Sequence, residues 1–222
     1  MKKVISLFIV LFVIAFTTQT FAQIKYGVRA GLNLANMAFS EDLGDMDQSM
    51  NMSFHIGGIL DYGLSETAGI EAGLLLSGKG TKLEGSYTEM GVTITSKSTM
   101  APMYLEIPIH GYYNLDLGGA KLRIFAGPYF GFGIAGKYKM EMSGGGISLD
   151  EEEDLEYGSE DDSDLASSDF GLNIGAGVNL GSILVSAQYG LGMANLDPAG
   201  SDDYTVKNKV IGISLTYLLG GE

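Results

Sequence analysis

The stretch FGLNIGAGVNL, Phe170 to Leu180, alternates without a fault. Phe170, Leu172, Ile174, Ala176, Val178 and Leu180 fall on one side of an extended chain, and Gly171, Asn173, Gly175, Gly177 and Asn179 fall on the other. Residues 26–35, 54–63, 70–79, 103–115, 121–138, 183–192 and 209–219 repeat the pattern, which predicts eight strands. Short joints near Ser65 to Thr67, at Gly118-Gly119 and at Gly181-Ser182 alternate with long polar segments at about 38–52, 82–101, 139–167 and 194–207. An even strand number with short turns at one end and long loops at the other is the layout of an up-and-down antiparallel transmembrane β-barrel, its short turns and both termini periplasmic.

Register supports closure. With Gly118-Gly119 as a turn, opposed residues sum to 237 and His110 meets Gly127, so the faces match. The Gly181-Ser182 turn sets Val178 against Val185, again on matching faces. Pro108 and Pro128 each remove a ladder donor inside a strand, which predicts a bulge or local break there.

The content of the two faces decides which looks inward. One carries Arg29, Asn33, His55, Asp61, Glu71, Lys79, Tyr104, Glu106, His110, Arg123, Tyr129, Asn173, Asn179, Gln188, Ser214 and Thr216 among many glycines. Its charges balance, Arg29, Lys79 and Arg123 against Asp61, Glu71 and Glu106, as buried charge requires. The other face carries Leu32, Leu34, Ile56, Leu74, Leu76, Ile107, Ile109, Phe130, Phe132, Ile134, Ile211, Ile213 and Leu215. These would overfill the bore of an eight-stranded barrel, so they are expected to face lipid. Tyr26, Tyr62, Tyr113 and Tyr217 lie on this face at strand ends beside short turns or a terminus, the place of an aromatic girdle. Asp61 is expected opposite Glu71, with Arg29 as the bridge between them.

Composition narrows the classes. The 222 residues are 45% hydrophobic and 18% charged, with 33 Gly and no Cys, which fits one folded domain and excludes disorder and disulfide scaffolds. A formal charge of −14 argues against a nucleic-acid partner. Lys2 and Lys3, the apolar run Val4 to Phe16 and the small Ala22 read as a secretory signal over residues 1–22, with the barrel over 23–222. Removal of the signal would shift the charge from −14 to −16, and lack of cysteine excludes a lipoprotein anchor.

The segments YGVRAGLNLANM from Tyr26, FHIGGILDYGLS from Phe54, YLEIPIHGYYNL from Tyr104, FAGPYFGFGI from Phe125, DFGLNIGAGVNL from Asp169 and QYGLGMANL from Gln188 resemble the PorT-like outer-membrane β-barrel proteins common in Bacteroidetes. The resemblance implies an eight-stranded barrel in the outer membrane that tolerates the prolines of YLEIP and FAGP. It departs at the C-terminus, where Tyr217 is followed by LLGGE rather than a final aromatic residue.

The third long loop holds ten carboxylates: Asp150, Glu151, Glu152, Glu153, Asp154, Glu156, Glu160, Asp161, Asp162 and Asp164. Such oxygens can hold Ca²⁺ or Mg²⁺ and bridge to lipopolysaccharide phosphates, but their spacing matches no EF-hand or nonapeptide repeat. The plainer reading is a solvated, self-repelling loop without a cofactor. His55 and His110 are both expected in the bore, and Glu106 lies too far along the strand from His110 to form a dyad. The expectation is therefore a non-enzymatic barrel, its partners lipid, lipopolysaccharide and periplasmic or surface proteins. The alternatives are a narrow channel and an accessory of secretion or gliding machinery.

Overall fold

A computed structural model describes residues 24–44, 46–89, 91–159, 163–198 and 204–219. The expected signal segment, Glu160, Asp161 and Asp162 lie outside them. The strands are β1 (Ile24–Phe39), β2 (Asp47–Gly63), β3 (Ala68–Gly78), β4 (Thr81–Glu89), β5 (Val92–Asp116), β6 (Lys121–Gly144), β7 (Ile147–Asp154), β8 (Tyr157–Gly158), β9 (Leu165–Ala166), β10 (Ser168–Leu180), β11 (Ile183–Gly192) and β12 (Val206–Leu219). All ladders are antiparallel except the short β8–β9 pair. Each wall strand pairs with its neighbour in sequence, and β12 returns to β1 from Tyr26↔Leu219 to Phe39↔Val206, so the sheet has no open seam. The wall is an eight-strand ring in which β3 and β4 together make one staved strand, because β2 pairs first with β4 and then with β3.

The break within that strand falls at Gly80, whose φ is +119°. A Cβ there would strike the Met100 carbonyl, so both the backbone angle and the space require glycine. The turn at Gly118 (φ +90°) and the one at Gly181 (φ +81°) keep the predicted registers, with Asp116↔Lys121 and Leu180↔Ile183 flanking them.

Each proline keeps one partner, Pro108 opposite Tyr129 and Pro128 opposite Leu172. On its other side each is unpaired, Pro108 toward Gly73 of β3 and Pro128 toward Ile109 of β5, which is the expected local break without a bulge. The bulge lies elsewhere. Tyr104 opposes Gly133 while Met103 opposes Ala135, so Ile134 is the extra residue and inward alternation on β6 passes from odd to even positions.

Two segments expected as loops are strands instead. Residues 81–89 and 92–100 pair as the β4–β5 hairpin, and 147–154 pair with the upper part of β6. A spanning strand needs about 9–11 residues. β5 has 25 residues, so much of it stands beyond the barrel on the long-loop side. The two faces fall as the alternation requires: Leu32, Ile56, Leu74, Phe130, Ile174 and Ile213 are exposed outward, while Arg29, Asp61, Glu71, Lys79, Glu106 and Arg123 are buried within.

Gly80→Val should lower stability by about 1–3 kcal/mol through strain at positive φ. The urea midpoint for loss of heat-modifiable gel migration would measure it, and an unchanged midpoint would refute the account of the break.

Candidate functional site

The charged side chains of the bore gather into two linked groups. Toward the short turns, Asp61 and Glu71 oppose one another across β2 and β3, as expected. Two arginines reach them from other strands. Arg29 Nη2 lies 2.9 Å from Glu71 Oε2 and donates through Nε to Thr216. Arg123 Nη1 lies 2.6 Å from Asp61 Oδ2 and 3.6 Å from Glu71 Oε2. The expected bridge at Arg29 is therefore wrong: Arg123, reaching from β6, spans both carboxylates. Arg29 meets Glu71 alone. Tyr112 stacks under the Arg123 guanidinium at 3.7 Å and donates its hydroxyl to Asp61 at 2.6 Å. His110 Nδ1 lies 3.5 Å from Glu71 Oε1 and its ring stacks on Phe125.

Nearer the long loops, Lys79 Nζ sits 2.8 Å from Glu106 and 3.0 Å from Asp169, over the face of Tyr129. Tyr129 and Asn208 also donate to Asp169. Asp169 corrects the expected charge balance, since among the described residues the buried interior holds four carboxylates against three cations. Position 169 carries the same inward parity as Gly171 and Asn173, and extending the β10 alternation by one pair would have found it.

Between these groups Ser214, His55 and Asn33 form a chain, His55 Nε2 to Ser214 Oγ at 2.8 Å and Nδ1 to Asn33 Oδ1 at 2.8 Å. The order of groups is that of a nucleophile, base and orienting amide. Its surroundings leave no place for a substrate: all three are buried, a Cβ at Gly31 would run into the His55 ring, and the neighbouring void is only about 10 Å³.

The long-loop mouth is closed by an apolar plug that sequence reading misses. Met37, Leu155, Leu165, Ala194, Leu196 and Val206 pack together there, with Met100, Tyr138 and Tyr157 against them. Leu155 lies within the acidic run and Leu165 directly after it; both fold inward, and the β8–β9 pairing, in which Leu165 opposes Tyr157, ties the segment to itself. The acidic segment is thus not a free loop. Asp150 to Asp154 belong to β7, and Glu152 takes Lys137 and Lys139 at 2.5 Å each. Hydrogen bonds from Lys137 and Lys139 hold the Glu152 carboxyl down to about 2, so the contact persists until pH falls that far. Asp164 caps the Glu156 amide. Glu151 and Glu153 are exposed, and among the described residues no three acidic or histidine side chains converge as a metal site. Tyr26, Tyr62, Tyr113 and Tyr217 all point outward at the short-turn end.

Asp61→Leu should cost about 3–5 kcal/mol, because it leaves Arg123 buried without its closest carboxylate. Asp61→Leu with Arg123→Leu should recover part of the loss in urea unfolding, and Asp61→Leu with Arg29→Leu should not. Equal behaviour of the two double variants would contradict the assignment.

No curated protein matches the chain. Solved structures similar to it include Ail of Yersinia pestis, 13% identical, covering 87% of this chain and 98% of that one at a TM-score of 0.34. Neisserial surface protein A is 14% identical over 86% and 96%, TM-score 0.36. OprG of Pseudomonas aeruginosa is 10% identical over 90% and 96%, TM-score 0.32. Likeness at this level passes nothing about role to the chain. Residues 19–197, most of the sequence, match the family described as "Outer membrane protein beta-barrel domain", and the protein belongs to that family, a closed barrel of the outer membrane.

Proposed function

We propose that the protein is a non-conducting, non-catalytic barrel that acts through its long-loop side as an interaction or envelope-integrity protein. The filled bore carries this reading. Between the two charged groups the void is about 10 Å³, less than a water needs to move through, and the plug of Leu155, Leu165 and Leu196 lies above it. At the short-turn end a polar cavity of about 390 Å³, lined by Lys25, Lys121 and Asn179, stops at the Arg123–Asp61 pair. Opening a path would require breaking buried ion pairs. The Ser214–His55–Asn33 chain is sealed by the same packing, so it serves as structure rather than chemistry.

The outward apolar band fits membrane lipid, with Tyr26, Tyr62, Tyr113 and Tyr217 at the periplasmic interface and the long loops outside. Lipopolysaccharide would then lie beside the exposed part of the acidic segment. Within the family, the PorT-like members are the finer resemblance, on the strength of the YLEIP and FAGP segments.

In planar bilayers the purified barrel should give no steady single-channel conductance; reproducible open-state steps would overturn the reading. Calcium titrated to about millimolar into the folded protein should give no saturable heat, since lysines already occupy Glu152. A saturable heat that Glu151→Gln with Glu153→Gln removes would make the acidic segment a cation site.

A further inference from the structure

The wall is uneven on the long-loop side. β4, the upper part of β5 and the upper part of β6 stand facing Phe39, Leu43 and Met46 and enclose a cleft of about 730 Å³. That volume lies within the roughly 300–1,000 Å³ of small-molecule sites. One side of it is a cross-strand row in which Leu83 opposes Ser98 and Gly85 opposes Ser96. Its floor is Met100 and Tyr138, which rest on the plug, so the cleft is a dead end and no entrance to the bore.

The chemistry of the lining is at odds with its setting. The long-loop segments together carry a net charge of −16 against −14 for the whole sequence, yet among the described residues no charged side chain lines the cleft. On β4 the acidic and basic residues Lys82 and Glu84 alternate out of it. What faces inward is thioether, aromatic ring and hydroxyl. Met46 and Tyr87 are each about half exposed there. Apolar surface left open in a concavity marks a binding site more often than a wetted surface. An anion would be repelled by the net negative charge of the long-loop segments. A cation would lose water without gaining a carboxylate in exchange. An uncharged apolar body avoids both penalties, and the hydroxyl of Ser96, with that of Ser98, which accepts from Tyr138 and can still donate, can satisfy a polar group on it.

We propose that this cleft binds an uncharged, mostly apolar small molecule bearing a hydroxyl or carbonyl group. The site goes beyond the reading of a filled barrel and does not depend on it, since the cleft lies wholly above the plug.

The test uses the full chain in lipid nanodiscs, with 2-naphthol as the neutral probe and 2-naphthoate as its anionic counterpart. Equilibrium dialysis against empty nanodiscs subtracts partition into lipid. The expected result is saturable uptake of 2-naphthol in excess of empty nanodiscs, with 2-naphthoate at least about tenfold weaker. Gly85→Leu with Ser96→Leu fills the cleft from opposed strands and should abolish the excess. A Cβ at Gly85 meets only Met46 Cγ, at 3.4 Å, so the hairpin accepts the change. If the double variant lost heat-modifiable migration, Ser96→Phe alone would carry the same expectation. No saturable excess, full binding in a folded filled variant, or equal uptake of the anion would each overturn the proposal.

Discussion

Return of the last strand to the first is the constraint on which the molecule depends. The β1–β12 ladder leaves the eight-strand wall without an edge, so each wall strand has two neighbours there, and open edges remain above it on β4 and β7. Closure fixes which residues share the interior. Arg29 from β1, Glu71 from β3 and Arg123 from β6 are far apart in sequence, and only the ring brings them within reach. Side chains in that bore have lost bulk water, so each charge must find its partner across the lumen rather than along its own strand. The tyrosine hydroxyls complete this work, Tyr112 on Asp61 and Tyr129 on Asp169.

Much of this architecture is legible in the sequence because period two is local and parity is conserved across a tight turn. Gly118-Gly119 and Gly181-Ser182 fix two hairpins, and the opposition of Asp61 and Glu71 follows from a third. Partners across the bore are not legible in the same way. Nothing local distinguishes Arg29 from Arg123 as the bridge, since strand tilt decides which guanidinium arrives at the right depth. The bulge at Ile134 escapes for a related reason: it is set by pairing with Met103 and Tyr104, and no turn residue announces it.

The long-loop side is the least legible in the sequence. Polar composition suggests loops at 82–101 and 139–167, whereas β4 and β7 carry the sheet outward, β7 with five consecutive carboxylates and every side chain exposed. Leu155 and Leu165, two apolar residues beside ten carboxylates, are the anchors that make the acidic segment part of the fold. The short-turn end, by contrast, is near electrical balance, with Lys25, Arg29, Lys121 and Arg123 against Asp61, Glu66, Glu71 and Asp116. The charge that keeps the chain soluble in transit is therefore concentrated at one pole.

The extra residue at Ile134 has a consequence for how such a chain can diverge. Below it, inserting or deleting one residue would turn a whole strand inside out, placing arginine against hydrocarbon and leucine in the bore. Above it, a change of phase has already been absorbed, and hairpins of different length can grow from the same stump. Descendants of this sequence are thus free to lengthen or shorten their summit while the base is held to a fixed count, which divides the molecule into a frozen tier and a plastic one.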